Sequence, residues 1–376
     1  MKQFNLPNFK HSNLNITATL AEFLGAPNTN TTLPQIKAEL AKGYKNVVYI
    51  CFDGMGAHPL EQNLDKTDYL RANVSDVLTS TFPSTTTCAT TSLTTNRLPL
   101  EHGWFGWSMY FEQIRRNVFI FLNADAETGE QLDVTDVSPL AHFPCFFDEA
   151  KSEYEINTVF PPFVKVAHPE RNVEWNFGMG EFFEDIANIC AKDGKQFVYA
   201  YNTEPDHTMH EYGVTCPQTK ALLTDISRRL QQLVEQTPDT LFIVTADHGQ
   251  IDVEGDVNMY EDAEMYDMLE TLPYGEPRAL IFKVKPNRRG EFAKHFNKKY
   301  GEDFELHKSG ELIEKGFFGA VGDKALLLGD YIAIGTYTHK QALILPPDGA
   351  TFKGHHTSLT EEMLVPLIMI GKGTTD

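Results

Sequence analysis

The segment Asp206-His207-Thr208-Met209-His210 sets a carboxylate and an imidazole four residues apart. On a helix, positions i and i+4 share a face, so Asp206 and His210 can present ligand atoms to one ion. Asp247-His248-Gly249 places the same two side-chain types side by side, and Gly249 permits the bend that lets both reach one point. Asp53-Gly54-Met55-Gly56 adds a third carboxylate, and Gly354-His355-His356 two more imidazoles. Each cluster alone has an ordinary explanation: an N-cap aspartate, a surface histidine, a strand-to-loop turn, a polar loop network. Their joint occurrence points to metal binding. Asp and His without thiolate suit zinc in a catalytic setting, or manganese and similar ions. Two such ions roughly 4 Å apart clamp the attacking and leaving oxygens of an in-line displacement.

Such a displacement needs a nucleophile. Phe82-Pro83-Ser84-Thr85-Thr86-Thr87-Cys88-Ala89-Thr90-Thr91 is dense in hydroxyls. A hydroxyl on a metal loses its proton more readily, which makes a Thr or Ser of this run usable near neutral pH. From Thr85 to Leu93 the run reads as a helix N-terminus, which favours an anion. A Thr-rich capped helix without chemistry is the plainer alternative.

These residues need elements to hold them. Residues 45–52 form a continuous apolar run ending at Asp53, the pattern of a strand buried on both faces of a parallel sheet. The same pattern recurs at 197–201 before Asp206 and at 241–245 before Asp247. Between the last two, Leu222, Leu223, Ile226, Leu230 and Leu233 show helical spacing, giving a strand–helix–strand unit. A last apolar run covers 364–370. Ligands of open α/β sheets bind at the carboxyl ends of the strands, so Asp53, Asp206 and Asp247 are expected in one crevice. The chain is read as a catalytic core over 1–255 and 347–376, with a cap subdomain over 256–346. In the cap, 278–284 reads as a strand and 288–300 as a helix. Residues 104–175, rich in aromatics and prolines, read as a second insertion or lid.

The chain has 376 residues, enough for one large α/β domain with insertions or for two to three smaller domains. Lys and Arg number 32 and Asp and Glu 52, so the formal charge is 32 − 52 = −20. That balance argues against nucleic acid or an anionic membrane surface as a partner, while bound cations would still admit a small anionic substrate. No run is long and apolar enough to span a membrane, and Met1-Lys2-Gln3-Phe4-Asn5 lacks the apolar core of a signal peptide. The scattered Cys51, Cys88, Cys145, Cys190 and Cys216 include no Cys-x-x-Cys and suggest a reducing, cytoplasmic setting.

The motifs carry a resemblance. Asp53-Gly54-Met55, Phe82-Pro83-Ser84-Thr85-Thr86, Thr95-Asn96-Arg97-Leu98-Pro99-Leu100-Glu101-His102-Gly103, Glu204-Pro205-Asp206 with His210 and Gly213, Asp247-His248-Gly249 and Gly354-His355-His356 stand in one order over 53–356. Together they resemble the alkaline phosphatase superfamily, and within it the type I phosphodiesterase/nucleotide pyrophosphatase branch. The resemblance implies a doubly wound α/β sheet of alkaline-phosphatase type with a smaller α+β cap. It implies a phosphoric ester hydrolase with two divalent ions, zinc first and manganese second, acting through a covalent phosphothreonine. Asp206, His210 and one of His355 and His356, with His356 favoured, would hold one ion. Asp53, Asp247, His248 and the nucleophile would hold the other. The family's threonine stands three residues after the motif's proline, which gives Thr86, with Thr85 and Thr87 adjacent in register. The partner implied is a small phosphate ester. A phosphomonoesterase, a phosphonate hydrolase and a silent metal-binding protein on the same scaffold are the alternatives.

One position departs from the pattern. Nucleotide-cleaving relatives carry an asparagine five residues after the His-Gly histidine, and here that position is Trp107. An indole has one donor, no acceptor and far more bulk, so a nucleotide substrate does not follow. Trp104, Phe105, Trp107, Tyr110 and Phe111 form either an aromatic wall over the site or the packing of the insertion onto the core.

Overall fold

The computed structural model describes residues 6–133, 143–161, 172–175, 178–319, 322–347, 349 and 351–373. The central sheet is built from β1 (Asn46–Phe52), β2 (Val74–Thr79), β6 (Glu155–Phe160), β7 (Asn172–Trp175), β8 (Gln196–Asn202), β9 (Thr240–Ala246) and β18 (Leu364–Lys372). Its strand order is β2-β18-β9-β1-β8-β6-β7. The three apolar runs that end in the acidic motifs are therefore neighbours, with β1 flanked in parallel by β8 and β9. All seven residues of β1 and of β9 are buried, as an unalternating run requires. Each fully buried Val, Ile or Phe side chain contributes about 1.5–3 kcal/mol. The run at 364–370 also forms a strand, but β18 lies antiparallel to both neighbours, so the sheet is mixed.

Helices cover both faces. Tyr49 and Phe52 are three residues apart on β1 and point to opposite sides. Phe52 packs on Phe182 and Phe183 of the helix Met179–Cys190. Tyr49 stacks on Tyr199, whose hydroxyl meets Thr94 of the helix Thr86–Thr95. The helix read between the second and third runs spans Pro217–Gln236 and buries Leu223, Ile226, Leu230 and Leu233. The α/β architecture read from the sequence is the one observed. Among the described residues, no helix is long and apolar enough to cross a membrane, and none of the five cysteines is in a disulfide.

A second sheet is built from β3 (Ser108–Phe111), β4 (Arg116–Phe119), β5 (Ala124–Asp125), β12 (Tyr274–Glu276), β13 (Ala279–Phe282), β14 (Phe304–Lys308) and β15 (Tyr331–Gly335), in the order β14-β15-β13-β12-β3-β4-β5. Four short strands complete the topology: β10 (Ile251–Asp252) pairs with β17 (Gly354–His355), and β11 (Gly255–Asn258) with β16 (Lys340–Leu343). The basic stretch at 288–300 forms the helix Arg289–Tyr300, which buries Phe292 and Phe296 against Phe282. The stretches at 104–175 and 256–346, separate in the sequence reading, are not separate in the fold. Residues 108–125 add three strands to the cap sheet through the pairing of Gly275 with Ser108, whereas 155–160 belongs to the central sheet. Residues 134–142 and 162–171 of that stretch lie outside the described residues. The strands at 108–125 are short and aromatic, and their partner is some 150 residues downstream, which a local pattern does not display.

The two sheets are tied by a buried ion pair. Arg278, between β12 and β13, is fully buried, and its Nε donates to Glu362 Oε1 at 2.6 Å. Its Nη1 donates to Lys340 O at 2.7 Å. Glu362 Oε2 accepts from Ser358 N at 3.1 Å and Leu359 N at 2.5 Å, and Glu362 O accepts from Gly249 N at 2.8 Å. One arginine thus braces the loops that follow His356 and His248. Removing one partner of such a pair leaves an uncompensated buried charge, which costs about 3–5 kcal/mol. Arg278→Met is expected to lose that much stability in guanidinium denaturation. A loss below about 1 kcal/mol would show that the pair does not carry the join.

Candidate active site

The carboxyl ends of β1, β8 and β9 deliver their three aspartates to one crevice. Phe52 is in register with Asn202 on one side and Ala246 on the other, so Asp53 and Asp247 leave adjacent strands together. Asp206 opens the helix Asp206–Tyr212, and its N–H donates to Asp53 O at 3.1 Å. Gly54 has φ +70°, and a Cβ there would lie 3.0 Å from the Asp206 Cβ. Only glycine lets the two loops approach this closely. Farther along, a Cβ on Gly56 would fall 2.4 Å from the Gly249 Cα, so the first and third loops also touch backbone to backbone. The pairing of Ile251 with His355 brings in the last cluster.

Asp206, His210 and His356 lie with one ligand atom each within 4.8 Å of one another, and Asp53, Asp247 and His248 form a second such group. The His248 and His356 rings are 3.9 Å apart at their centroids, so the two groups abut. All three imidazoles are oriented alike. His210 Nδ1 donates to Gly354 O at 2.7 Å, His248 Nδ1 to Gly249 O at 3.0 Å and His356 Nδ1 to Ser84 O at 3.1 Å. A carbonyl can only accept, so each Nδ1 carries the proton and each Nε2 faces the carboxylates. His210 Nε2 is 3.2 Å from Asp206 Oδ2, and His248 Nε2 is 3.2 Å from Asp53 Oδ1 and 3.5 Å from Asp247 Oδ2. This is how metal-ligating histidines are held. Asp247 Oδ2 is buried without a hydrogen-bond partner, whereas its Oδ1 accepts from Gly54 N and His248 N. An orphaned carboxylate oxygen 3.5 Å from an imidazole nitrogen fits a divalent cation in its donor chemistry.

The electrostatics follow from burial. Burial pushes Asp53 well above the usual carboxylate range, and the neighbouring Asp206 and Asp247 push it further. Burial acts against a charged His248, but Asp247, Asp53 and Asp206 overrule it and raise the imidazole to about 10. Burial also works against ionised Asp206, yet His210 holds it down at about 2. Without a cation, the buried negative charge is relieved by protons, held on the Asp53 carboxyl and on His248 and His210.

Thr86 stands at this junction. Its Oγ1 lies 3.2 Å from His248 Nε2 and 3.3 and 3.5 Å from the two oxygens of Asp53. The neighbours in register face elsewhere: Thr85 Oγ1 donates to Glu276 Oε1 at 2.5 Å, and Thr87 Oγ1 is buried without a partner. The helix Thr86–Thr95 begins here with no side-chain cap, and its N-terminal end lines the same pocket. His355 is buried beside His356 but belongs to neither ligand group, and its Nδ1 accepts from His356 N at 2.8 Å. His102, the reference point of the His-Gly motif, is a structural tie, with Nε2 at 2.9 Å from Ser92 Oγ and Nδ1 accepting from Trp104 N.

A cavity of about 460 Å³ opens beside Thr86. Of the five aromatics from 104 to 111, only Trp107 lines it. Trp104, Phe105, Tyr110 and Phe111 instead pack the core of the second sheet, Phe105 against Phe318 and Trp104 against Phe121. The aromatic wall is thus corrected to one indole joined by Phe119 and Tyr274 of the cap sheet and by Phe352. Three further residues were not singled out in the sequence. Tyr201 donates its hydroxyl to Asp53 Oδ2, and Gln250 donates its amide to Asp206 Oδ1. Glu276, at the end of β12, is 3% exposed, and its Oε1 accepts from Thr85 Oγ1 and from Trp107 N at 2.6 Å. Tyr201 and Gln250 lie one residue from the end of a strand and three residues past Asp247, so proximity could have flagged them. Glu276 arrives from the other sheet.

Known proteins agree with this architecture. The family model described as type I phosphodiesterase/nucleotide pyrophosphatase matches residues 47–343, and the chain belongs to that family. By that membership it is a hydrolase of phosphoester bonds. Murine ectonucleotide pyrophosphatase/phosphodiesterase 5 is 17% identical with a TM-score of 0.61, over 87% of this chain and 88% of that one. An inactive threonine-to-alanine form of the murine protein, in complex with AMP, is also 17% identical and scores 0.60 over 85% and 87% of the two chains. Phosphonoacetate hydrolase from Sinorhizobium meliloti 1021, in complex with phosphonoformate, is 14% identical with a TM-score of 0.64, over 86% and 89%. At these identities the likeness is one of fold. No curated protein sequence matches the chain.

Glu276 yields a pH test. Burial raises its carboxyl from 4.5 to about 7, against the opposing hydrogen bonds of Thr85 and Trp107. A raised carboxyl binds its proton more tightly in the folded state, so its contribution is intact below pH 4.5 and is lost as pH rises to about 7. The total is about 3 kcal/mol. Glu276→Gln keeps an oxygen to accept both bonds and removes the ionisation. At pH 8 it is expected to be more stable than the wild type by about 1–3 kcal/mol, with the gain gone by pH 5. Urea denaturation at both pH values decides, since an equal effect at both would exclude ionisation of Glu276 as its cause.

Proposed function

We propose that the chain hydrolyses phosphodiesters with two bound divalent ions and a covalent phosphothreonine on Thr86. The observation that carries this reading is the position of the Thr86 hydroxyl against one of two abutting Asp/His groups, within 3.5 Å of both Asp53 oxygens and 3.2 Å from His248 Nε2. Asp206, His210 and His356 would hold one ion, and Asp53, Asp247, His248 and Thr86 the other. Zinc suits these donors best and manganese next. Such ions lower the pKa of bound hydroxyls and neutralise charge on the entering and leaving oxygens.

The chain's own groups supply the rest. Thr86 Oγ1 forms a bond to phosphorus as the ester P–O bond opposite it breaks, and the departing alkoxide takes a proton from water to leave as the alcohol. The hydroxyl proton is directed at the Asp53 carboxylate. The N-terminal end of the helix Thr86–Thr95 faces the phosphoryl oxygens with its positive pole. Water then cleaves the phosphothreonine and restores Thr86. Tyr201 and Gln250 hold Asp53 and Asp206 in place through one hydrogen bond each. A diester is favoured over a monoester by the cavity beside Thr86, which seats a second ester group. Among the described residues, no lysine or arginine lines that cavity to balance a second negative charge.

Two measurements test the reading. Protein dialysed against zinc or manganese is expected to retain two ions per chain by elemental analysis. His356→Ala should lose one of them, whereas His355→Ala should keep both. Equal loss from the two variants would contradict the ligand assignment.

In the second measurement, bis(p-nitrophenyl) phosphate is expected to be cleaved with a higher kcat/KM than p-nitrophenyl phosphate or ATP. Thr86→Ala should lower turnover on the order of a thousandfold or more. Activity that survives in Thr86→Ala and is lost in Thr85→Ala or Thr87→Ala would move the nucleophile by one position.

A further inference from the structure

The helix Thr86–Thr95 starts on Thr85, whose backbone is extended at φ −141° and ψ 152°. An N-cap residue ordinarily has such a backbone, and threonine is among the side chains that fill the position by accepting from the N–H of the second or third helical residue. Here those residues are Thr87 and Cys88. The bond is not made, and the helix has no side-chain cap. The hydroxyl that would make it donates instead to Glu276 Oε1 at 2.5 Å, across to the second sheet.

The acceptor is firmly placed. Glu276 ends β12, is buried, and its Oε1 also accepts from Trp107 N at 2.6 Å. Its strand is held by the pairing of Glu276 with Ala279 of β13 and of Gly275 with Ser108 of β3. What stands at the uncapped helix end is the site itself. Thr86 is the first helical residue, with Oγ1 3.3 Å from Asp53 Oδ1 and 3.2 Å from His248 Nε2. A phosphoryl group at Thr86 brings its oxygens to the free N–H groups of that first turn. An N-cap hydroxyl competes for the same donors.

We propose that Glu276 is a positioning residue that keeps this helix end open. By holding the Thr85 hydroxyl on the second sheet, it stops the helix from capping itself and leaves the first-turn N–H groups to the phosphoryl oxygens. This rests on the reading of Thr86 as the nucleophile. Glu276 acts through Thr85, and no bond or proton changes hands in this role. The role therefore needs an acceptor oxygen at position 276 and not a negative charge.

The test is the affinity of inorganic phosphate for the zinc-loaded full chain, measured by calorimetry without turnover. Glu276→Met removes the acceptor and frees the Thr85 hydroxyl, and phosphate is expected to bind about fivefold or more weakly, the scale of one N-cap bond. Adding Thr85→Val to that variant removes the competitor, and affinity should return to within about twofold of the wild type. Glu276→Gln keeps an acceptor oxygen and should match the wild type. A glutamate that only stabilises the fold would leave the double variant at least as weak as Glu276→Met, and that result overturns the proposal. Tighter binding in both Glu276→Met and Glu276→Gln also overturns it, since Glu276 would then act by its charge. Thr85→Val alone gives a reading even where Glu276→Met does not fold. It should keep wild-type affinity, and a loss of about fivefold or more would show that the hydroxyl itself serves the anion and overturn the proposal. A wild type that binds no phosphate overturns it outright. Phosphate binding in the expected pattern, with bis(p-nitrophenyl) phosphate left intact by the wild type, would instead sink the phosphodiesterase reading and leave the role of Glu276 standing.

Discussion

Three carboxylates with little access to water have to share one crevice, and much of the architecture around them is a response to that constraint. Asp53, Asp206 and Asp247 are 3%, 9% and 0% exposed. Packing like charges together in a low-dielectric space opposes folding unless positive charge or oriented dipoles accompany them. The chain answers with three imidazoles whose Nδ1 atoms are tied to carbonyls, with amide donors from Gly54 and His248, and with the side chains of Tyr201 and Gln250. None of these contacts requires a change in the β-strands. The middles of β1, β8 and β9 are apolar, and the charged groups appear only where these strands end.

The loops that follow β1, β8 and β9 are short, four, three and four residues. They are held because each is bonded to another. Asn13 donates to Ala246 O and Asp247 O, Ser80 donates to Asp247 O at 2.5 Å, and Ser84 N donates to Thr357 O at 2.9 Å. Arg278 closes the arrangement from the cap side by way of Glu362. The cap is therefore part of the site's construction. It braces the histidine loops, and through β12 it contributes Glu276, a buried carboxylate that belongs to neither ligand group. Met363 and Phe82, which flank the core motifs, pack in the hydrophobic cluster of the second sheet, so apolar burial joins the two halves as well.

The core and the site differ in how legible they were. The strands at Asp53, Asp206 and Asp247 announced themselves, because a run buried on both faces has no polar alternation and its first polar residue marks the strand end. The spacing of Asp206 and His210 likewise survives translation into a helix turn. Choosing Thr86 among three consecutive threonines was beyond periodicity. It came from the family pattern, and the geometry now separates the three hydroxyls by what each one faces. What stayed hidden was everything set by the second sheet. The pairing of Gly275 with Ser108 joins segments some 170 residues apart, and no local pattern encodes which short aromatic strand will lie beside which. That one pairing is why Trp107 lines the cavity while Phe105 and Phe111 do not, and why the buried acid is Glu276.

The position of Trp107 also explains how the site can depart from the pattern of its relatives without losing its frame. The residue contributes its backbone N–H to Glu276 and its indole to the cavity wall, so the side chain is free of any duty to the Asp/His groups. Replacing an amide by an indole there removes a polar contact from the phosphoryl side and adds apolar area on the ester side. The carboxylate of Glu276 sits on the same segment boundary and changes the charge of that wall in the same stroke. The Asp/His groups and the aromatic side of the cavity thus come from different parts of the fold, the first from the strand ends of the central sheet and the second largely from the edge where β3 meets β12. The three aspartates and three histidines take their positions from loops that the second sheet braces but does not supply, so the cavity's aromatic side and the Asp/His groups are built independently.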